Sequence, residues 1–128
     1  KIPTTIFRVG GVILKKEKVF QHFENRILIR YTLLEAHSLT TLRLRPFLAF
    51  RSVNSCTHEN GMVNKQYDLV DNGIKTCMYD GYPELYMQLS KKNEYIYEPN
   101  WYKGIEYTKE RELGYEFSED LYVPGYFE

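Results

Sequence analysis

Between Asn25 and Phe50 the chain alternates apolar and polar residues with a period of two, and this alternation restricts the fold more than any other stretch. Ile27, Ile29, Tyr31 and Leu33 fall on one face of an extended segment, with Arg26, Arg30 and Thr32 largely on the other. Leu42, Leu44, Leu48 and Phe50 again share a face, while Arg43 and Arg45 point the opposite way. The link from Glu35 to Ser38 is short and mostly polar, so the stretch reads as a hairpin of two long strands, each buried on one side. A lone hairpin is unstable in water. The remaining chain must therefore supply strands to cover the apolar face.

Turn signals supply them. Gly10-Gly11 joins Thr4–Val9 to Val12–Phe20 as a first hairpin, whose return strand is polar from Lys15 to Lys18 and so lies at an edge or keeps one face wet. Pro46 removes a ladder donor from the strand that carries it. Residues 51–67 lose periodicity and read as a long loop containing the Asn60-Gly61 turn signal. Asp71-Asn72-Gly73 then turns between Tyr67–Val70 and Ile74–Tyr79, and Glu84–Ser90 with Glu94–Glu98 reads as a further hairpin. The expected class is all-β, an antiparallel sandwich. Residues 99–128 are expected to form an irregular, partly helical tail: Thr108 to Leu113, ended by Gly114, suits a helical turn or two, and Ser118 resembles a second helix start, stopped at Pro124-Gly125.

A chain of 128 residues suits one domain, 1–128. Its 17 basic and 17 acidic residues cancel, which argues against a polyanion partner, so no nucleic acid and no anionic membrane surface is expected. No apolar run reaches the roughly 18–20 residues of a membrane span, and no signal-peptide core is visible, so a cytoplasmic location and two free thiols, Cys56 and Cys77, are expected. The chain opens without Met directly into a strand-like run, as a piece of a larger protein would.

Neither cofactor nor metal is expected. Cys56 and His58 lie two apart, but His22, His37 and Cys77 are scattered without zinc-ligand spacing, and nucleotide-binding and serine-hydrolase motifs are absent from the sequence. Glu106, Glu110, Glu112, Glu116, Glu119 and Asp120 contain enough carboxylates for a glycosidase pair, yet such density suits a solvated surface paired to Lys103, Lys109 and Arg111. No catalytic residue is assigned. Trp101-Tyr102, after Pro99-Asn100 and outside a regular strand, suggests a platform for a sugar face, with Arg51, Asn60 and Glu110 as groups to fix hydroxyls. The plainer alternative is that the two rings pin the tail to the sandwich.

Several of these motifs together resemble a known family. Gly10-Gly11 before a basic strand ending Val19-Phe20, Glu24-Asn25, LRLRPFLAFR from Leu42 to Arg51, and His58-Glu59-Asn60 are similar to the N-terminal domain of bacterial and archaeal glycogen debranching enzymes of the amylo-α-1,6-glucosidase type. Trp101-Tyr102, Glu106-Tyr107, Glu110-Arg111-Glu112, Gly114-Tyr115 and Glu119-Asp120-Leu121 before Pro124-Gly125 resemble the ending of that domain. The resemblance implies the later part of a β-sandwich placed ahead of a helical toroid, which would be its partner and would carry the catalytic carboxylates. It also implies a glycogen-type α-glucan as the substrate of the whole protein. The sequence departs from the family at Ser52-Val53-Asn54, where an acidic residue and a His are usual. A sandwich lacking early strands would leave open edges, so self-association of two copies through exposed strands is expected.

Overall fold

The computed structural model describes residues 2–21, 24–51 and 55–128. In chain order the elements are β1 (Thr4–Val9), β2 (Val12–Phe20), β3 (Ile27–Glu35), β4 (Tyr67–Val70), β5 (Gly73–Thr76), β6 (Leu85–Gln88), β7 (Tyr95–Glu106), α1 (Thr108–Glu112) and β8 (Ser118–Phe127). Among the described residues strand outweighs helix, 49% to 4%, and the strand pairs are antiparallel, so the all-β expectation holds. The chain groups into two compact units, Lys1–Thr41 and Leu42–Glu128.

The first unit is a three-stranded sheet in the order β1-β2-β3. Gly10 and Gly11 adopt φ of +54° and +81°, the left-handed pair that a two-residue hairpin turn needs, and Val9 pairs with Val12 across it. Phe7, Leu14 and Leu33 line up in one row across the three strands. The charged middle of β2 is matched across the sheet: Glu17 lies opposite Arg30 and binds its guanidinium at 3.0 Å, and Lys16 sits over the Tyr31 ring. No described residue of 2–41 is fully buried.

The expected hairpin between 25 and 50 is not made. β3 pairs with β2, and the segment after it instead touches β8 through isolated bridges, Leu44 to Phe127 and Leu48 to Tyr122. Two causes are visible. Glu35 to Ser38 contains neither Gly nor Asn to supply positive φ, and Pro46 interrupts the ladder between the two bridges. The alternation marked burial only in part: Leu48 is buried and Leu44 and Phe50 are half-buried, but Leu42 and, on β3, Ile27, Ile29 and Leu33 are exposed, so the expected apolar face of the first strand is not covered.

The second unit holds every fully buried residue among those described, and its strands form two small sheets, β4-β5-β6 and β7-β8. Leu48, Val63, Met78 and Tyr122 form its core, with Phe50, Tyr79, Leu85, Met87 and Trp101 packed around them. Residues from β6 thus meet residues from β7 and β8, and Tyr67 of β4 stacks on Tyr97 at 5.5 Å and meets Tyr95 edge-on at 4.9 Å. This is the face-to-face packing of a sandwich. The hydroxyls of Tyr95 and Tyr122 are buried with no hydrogen-bond partner among the described residues, and burial pushes Tyr122 up to about 12.

Two further expectations need correction. Glu84–Ser90 and Glu94–Glu98 do not pair with each other: β6 pairs with β5, and β7 with β8. The tail from 99 is also more regular than expected, because Ser118 starts β8 rather than a helix. Long-range pairing with β7 overrides a local capping signal there. The helical turn does form, as α1, and Gly114 at φ +78° ends it: the Tyr115 N–H donates to the Glu110 carbonyl at 2.9 Å and the Gly114 N–H to the Arg111 carbonyl.

Candidate functional site

The carboxylates at the start of β8 are the organising groups of the second unit. Glu119, fully buried, accepts hydrogen bonds on both oxygens: Oε2 from Arg51 Nε at 2.7 Å and the Thr57 N–H at 3.1 Å, Oε1 from the Tyr107 hydroxyl at 2.5 Å. Asp120 accepts from the Glu59 N–H and the Gly104 N–H, each at 2.9 Å, and its own N–H donates to the Thr57 carbonyl. Glu116 takes the Cys56 N–H at 2.8 Å, and Lys103 pairs with Glu59. Three acids within five residues therefore clasp the described part of the long loop by its backbone, as a loop outside the strands requires.

The electrostatics follow from this arrangement. Burial works against the Arg51 charge, but Glu119 and Tyr107 more than offset it and hold the guanidinium above its ordinary range. Burial, then the Glu119 carboxylate, raises the Tyr107 hydroxyl. The Cys56 thiol is pushed up by burial and by Glu119, which makes it a poor nucleophile. Asp120 goes the other way, because the N–H groups of Glu59 and Gly104 favour its charged form.

A depressed carboxylate contributes stability that is present above its unfolded pKa and is lost as pH falls through the folded value. Asp120→Asn is therefore expected to lower the melting temperature at pH 7 and to have progressively less effect below about pH 4. Thermal melts of both proteins between pH 3 and 7 check this; curves separated by the same interval throughout would contradict it.

Beside the Arg51–Glu119 pair lies an open cleft of about 380 Å³, lined by Ala49, Arg51, Tyr107, Glu110 and Glu119. Arg51 lies against the Tyr107 ring, 5.6 Å from its centroid. The Glu110 side chain, carried on α1, makes no hydrogen bond or ion pair with any described residue. Two carboxylates thus border one cleft, but they do not make a glycosidase pair. Glu119 is wholly buried with three donors on its two oxygens, which leaves no atom to offer a substrate.

The residues singled out in the sequence have separate fates. Arg51 and Glu110 meet at the cleft. Trp101 and Tyr102 lie inside β7, not outside a strand, and as successive strand residues they point to opposite faces. Trp101 packs on Tyr122 at 5.5 Å, and Tyr102 meets Phe47 at 4.5 Å, so the rings share no platform. Asn60 is bound into its own turn: Nδ2 donates to the His58 carbonyl and the Tyr79 hydroxyl, and Oδ1 accepts the Met62 N–H. His22 and Ser52-Val53-Asn54 lie outside the described residues. Cys77 donates to the carbonyls of Tyr79 and Tyr82, and His37 sits by Gly11 in the first unit. Sequence reasoning missed Glu119 and Tyr107 as partners of Arg51. No local signal marks a buried acid whose counterion is so distant in the chain.

Arg43 and Arg45, read from the sequence only as outward-facing, have a defined role. Both guanidinium groups lie over the Tyr126 ring, at 4.3 and 4.5 Å, while Arg43 binds Glu128 and Arg45 binds Glu98. They fasten the Leu44–Leu48 segment to the β7-β8 pair where Pro46 prevents a continuous ladder. Among the described residues no helix is long and apolar enough to cross a membrane.

A family model described as glycogen debranching enzyme N terminal matches residues 1–128. No curated protein and no solved structure gives a match.

Proposed function

Because the chain belongs to the glycogen debranching enzyme N-terminal family, we propose that it serves as the non-catalytic sandwich of a debranching glucosidase. On this reading the whole protein works in the cytoplasm and releases α-1,6-linked branch-point glucose from glycogen. The bond is cleaved by carboxylates of a downstream helical toroid, against which the sandwich rests. The observation that carries the reading is the use made of Glu116, Glu119 and Asp120: each binds backbone N–H groups, and none is left in a pair that could act as acid and base. Among the described residues β1 and β3 are the outer strands of the first sheet, and an outer strand suits pairing with a second copy when the chain is alone.

The test compares this chain with the full-length parent protein on a branched limit dextrin. The parent is expected to release glucose and the 128-residue chain alone to release none. Glucose release by the chain alone, abolished by Glu110→Gln, would overturn the non-catalytic role.

A further inference from the structure

We propose that the cleft bordered by Ala49, Arg51, Tyr107 and Glu110 is a subsite for one neutral sugar unit, a single glucosyl residue of the α-glucan. The identity of the sugar rests on the family reading above, whereas the class of ligand comes from the cleft itself.

Size is the first argument. A volume of about 380 Å³ lies near the lower end of the roughly 300–1,000 Å³ found for small-molecule sites, which fits one ring rather than an extended oligosaccharide. Ala49 contributes only a methyl group and so leaves that space open.

Charge is the second. Glu119 neutralises Arg51 at 2.7 Å, so the unbalanced charge at the cleft is that of Glu110. An isolated carboxylate repels phosphate and accepts hydrogen bonds from hydroxyl groups, and adjacent sugar hydroxyls supply two donors for its two oxygens. A phosphorylated sugar is thereby disfavoured and a neutral one favoured.

Rigidity is the third. Glu110 stands on a helical turn whose end is fixed by Gly114, and Tyr107 is held at both ends, its N–H donating to the Phe117 carbonyl at 2.7 Å and its hydroxyl to Glu119. Walls ordered before the ligand arrives lower the entropic cost of binding. Glu110 is the one carboxylate here that the fold does not use, so its substitution separates binding from folding.

The experiment is an amide-resonance titration of the 128-residue chain with maltose, isomaltose and glucose 6-phosphate. The neutral disaccharides are expected to shift resonances of residues 49–51 and 107–111 with a dissociation constant of roughly 1 mM. Glucose 6-phosphate is expected to bind at least about tenfold more weakly. Glu110→Gln should weaken maltose binding at least about tenfold with an unchanged melting temperature, and Ala49→Leu, which fills the cleft, should abolish it. Trp101→Phe should leave it unaltered. Absence of shifts, shifts confined to other residues, or unchanged affinity in both cleft variants would each overturn the subsite. Loss of the subsite would leave the scaffold role standing, whereas glucose release by the chain alone would remove that role without touching the binding result.

Discussion

Glu119→Ala is expected to destabilise the chain by about 3–5 kcal/mol, the range found when one member of a buried ion pair is removed. Glu119 is fully buried, and its loss would strand three donors at once: the Arg51 guanidinium, the Thr57 N–H and the Tyr107 hydroxyl. Arg51 retains limited access to water, with its side chain 20% exposed, which keeps the expected cost within that range and not above it. Domains have only about 5–15 kcal/mol of net stability, so a large part of the total is at stake. At this chain length each kcal/mol moves the melting temperature by about 3–6 °C, and a fall of at least about 10 °C is expected. Glu119→Gln, which keeps an acceptor oxygen, should lie between the unaltered chain and Glu119→Ala. The double variant Arg51→Met, Glu119→Leu should lose less than Glu119→Ala, because no unpaired charge is left behind. Thermal melts of these proteins decide the matter; a double variant that loses as much as Glu119→Ala, or more, would contradict this account of the pair.

Gly125→Ala comes next in size, at about 3 kcal/mol, the upper end of the overpacking range. A Cβ at this position would lie 2.0 Å from the Ile96 carbonyl oxygen and 3.0 Å from both the Glu98 nitrogen and the Tyr95 hydroxyl. The first two are backbone atoms of the paired strand and cannot step aside. Position 125 also borders an irregular stretch of the ladder: Tyr97 pairs with Gly125 and Asn100 with Val123, so Glu98 and Pro99 oppose Pro124 alone. Two prolines without donors are accommodated there by a bulge, and only a residue with no side chain lets the strands close again beside it. The melting temperature should fall by about 10 °C; a shift below 2 °C would mean that the strands separate at this point without cost.

What the sequence disclosed was mostly what is decided locally. Gly10-Gly11 could turn only one way, and α1 was readable from Gly114 because a helix end is written within a few residues. Asp71-Asn72 makes the second readable turn, with Asn72 at φ +54°. Gly73, the nominal turn glycine, is needed for another reason: an added Cβ would meet the Met87 carbonyl oxygen at 1.9 Å. Partner choice was not readable. Leu44 and Leu48 carry the correct alternation, but alternation names a face and not a neighbour, so their pairing with β8 could not be inferred. Ser118-Glu119-Asp120 shows the same limit, since a serine followed by acids is a helix signal until β7 offers a ladder. At the cleft, Arg51 and Glu110 stood out by residue type, while Trp101 drew attention for a chemistry its core position does not support.

The uneven distribution of buried residues has a dynamic consequence. Tyr122, Val123 and Phe127 of β8 are sealed at 0–3% exposure, so their amide hydrogens should exchange with solvent only when the second unit unfolds as a whole. β1 to β3 contain comparable ladders without a single sealed side chain among the described residues, so their amide hydrogens are expected to exchange through local opening. One polypeptide thus carries two clocks, and deuterium uptake would read the fast one from β1 to β3 and the slow one from β8.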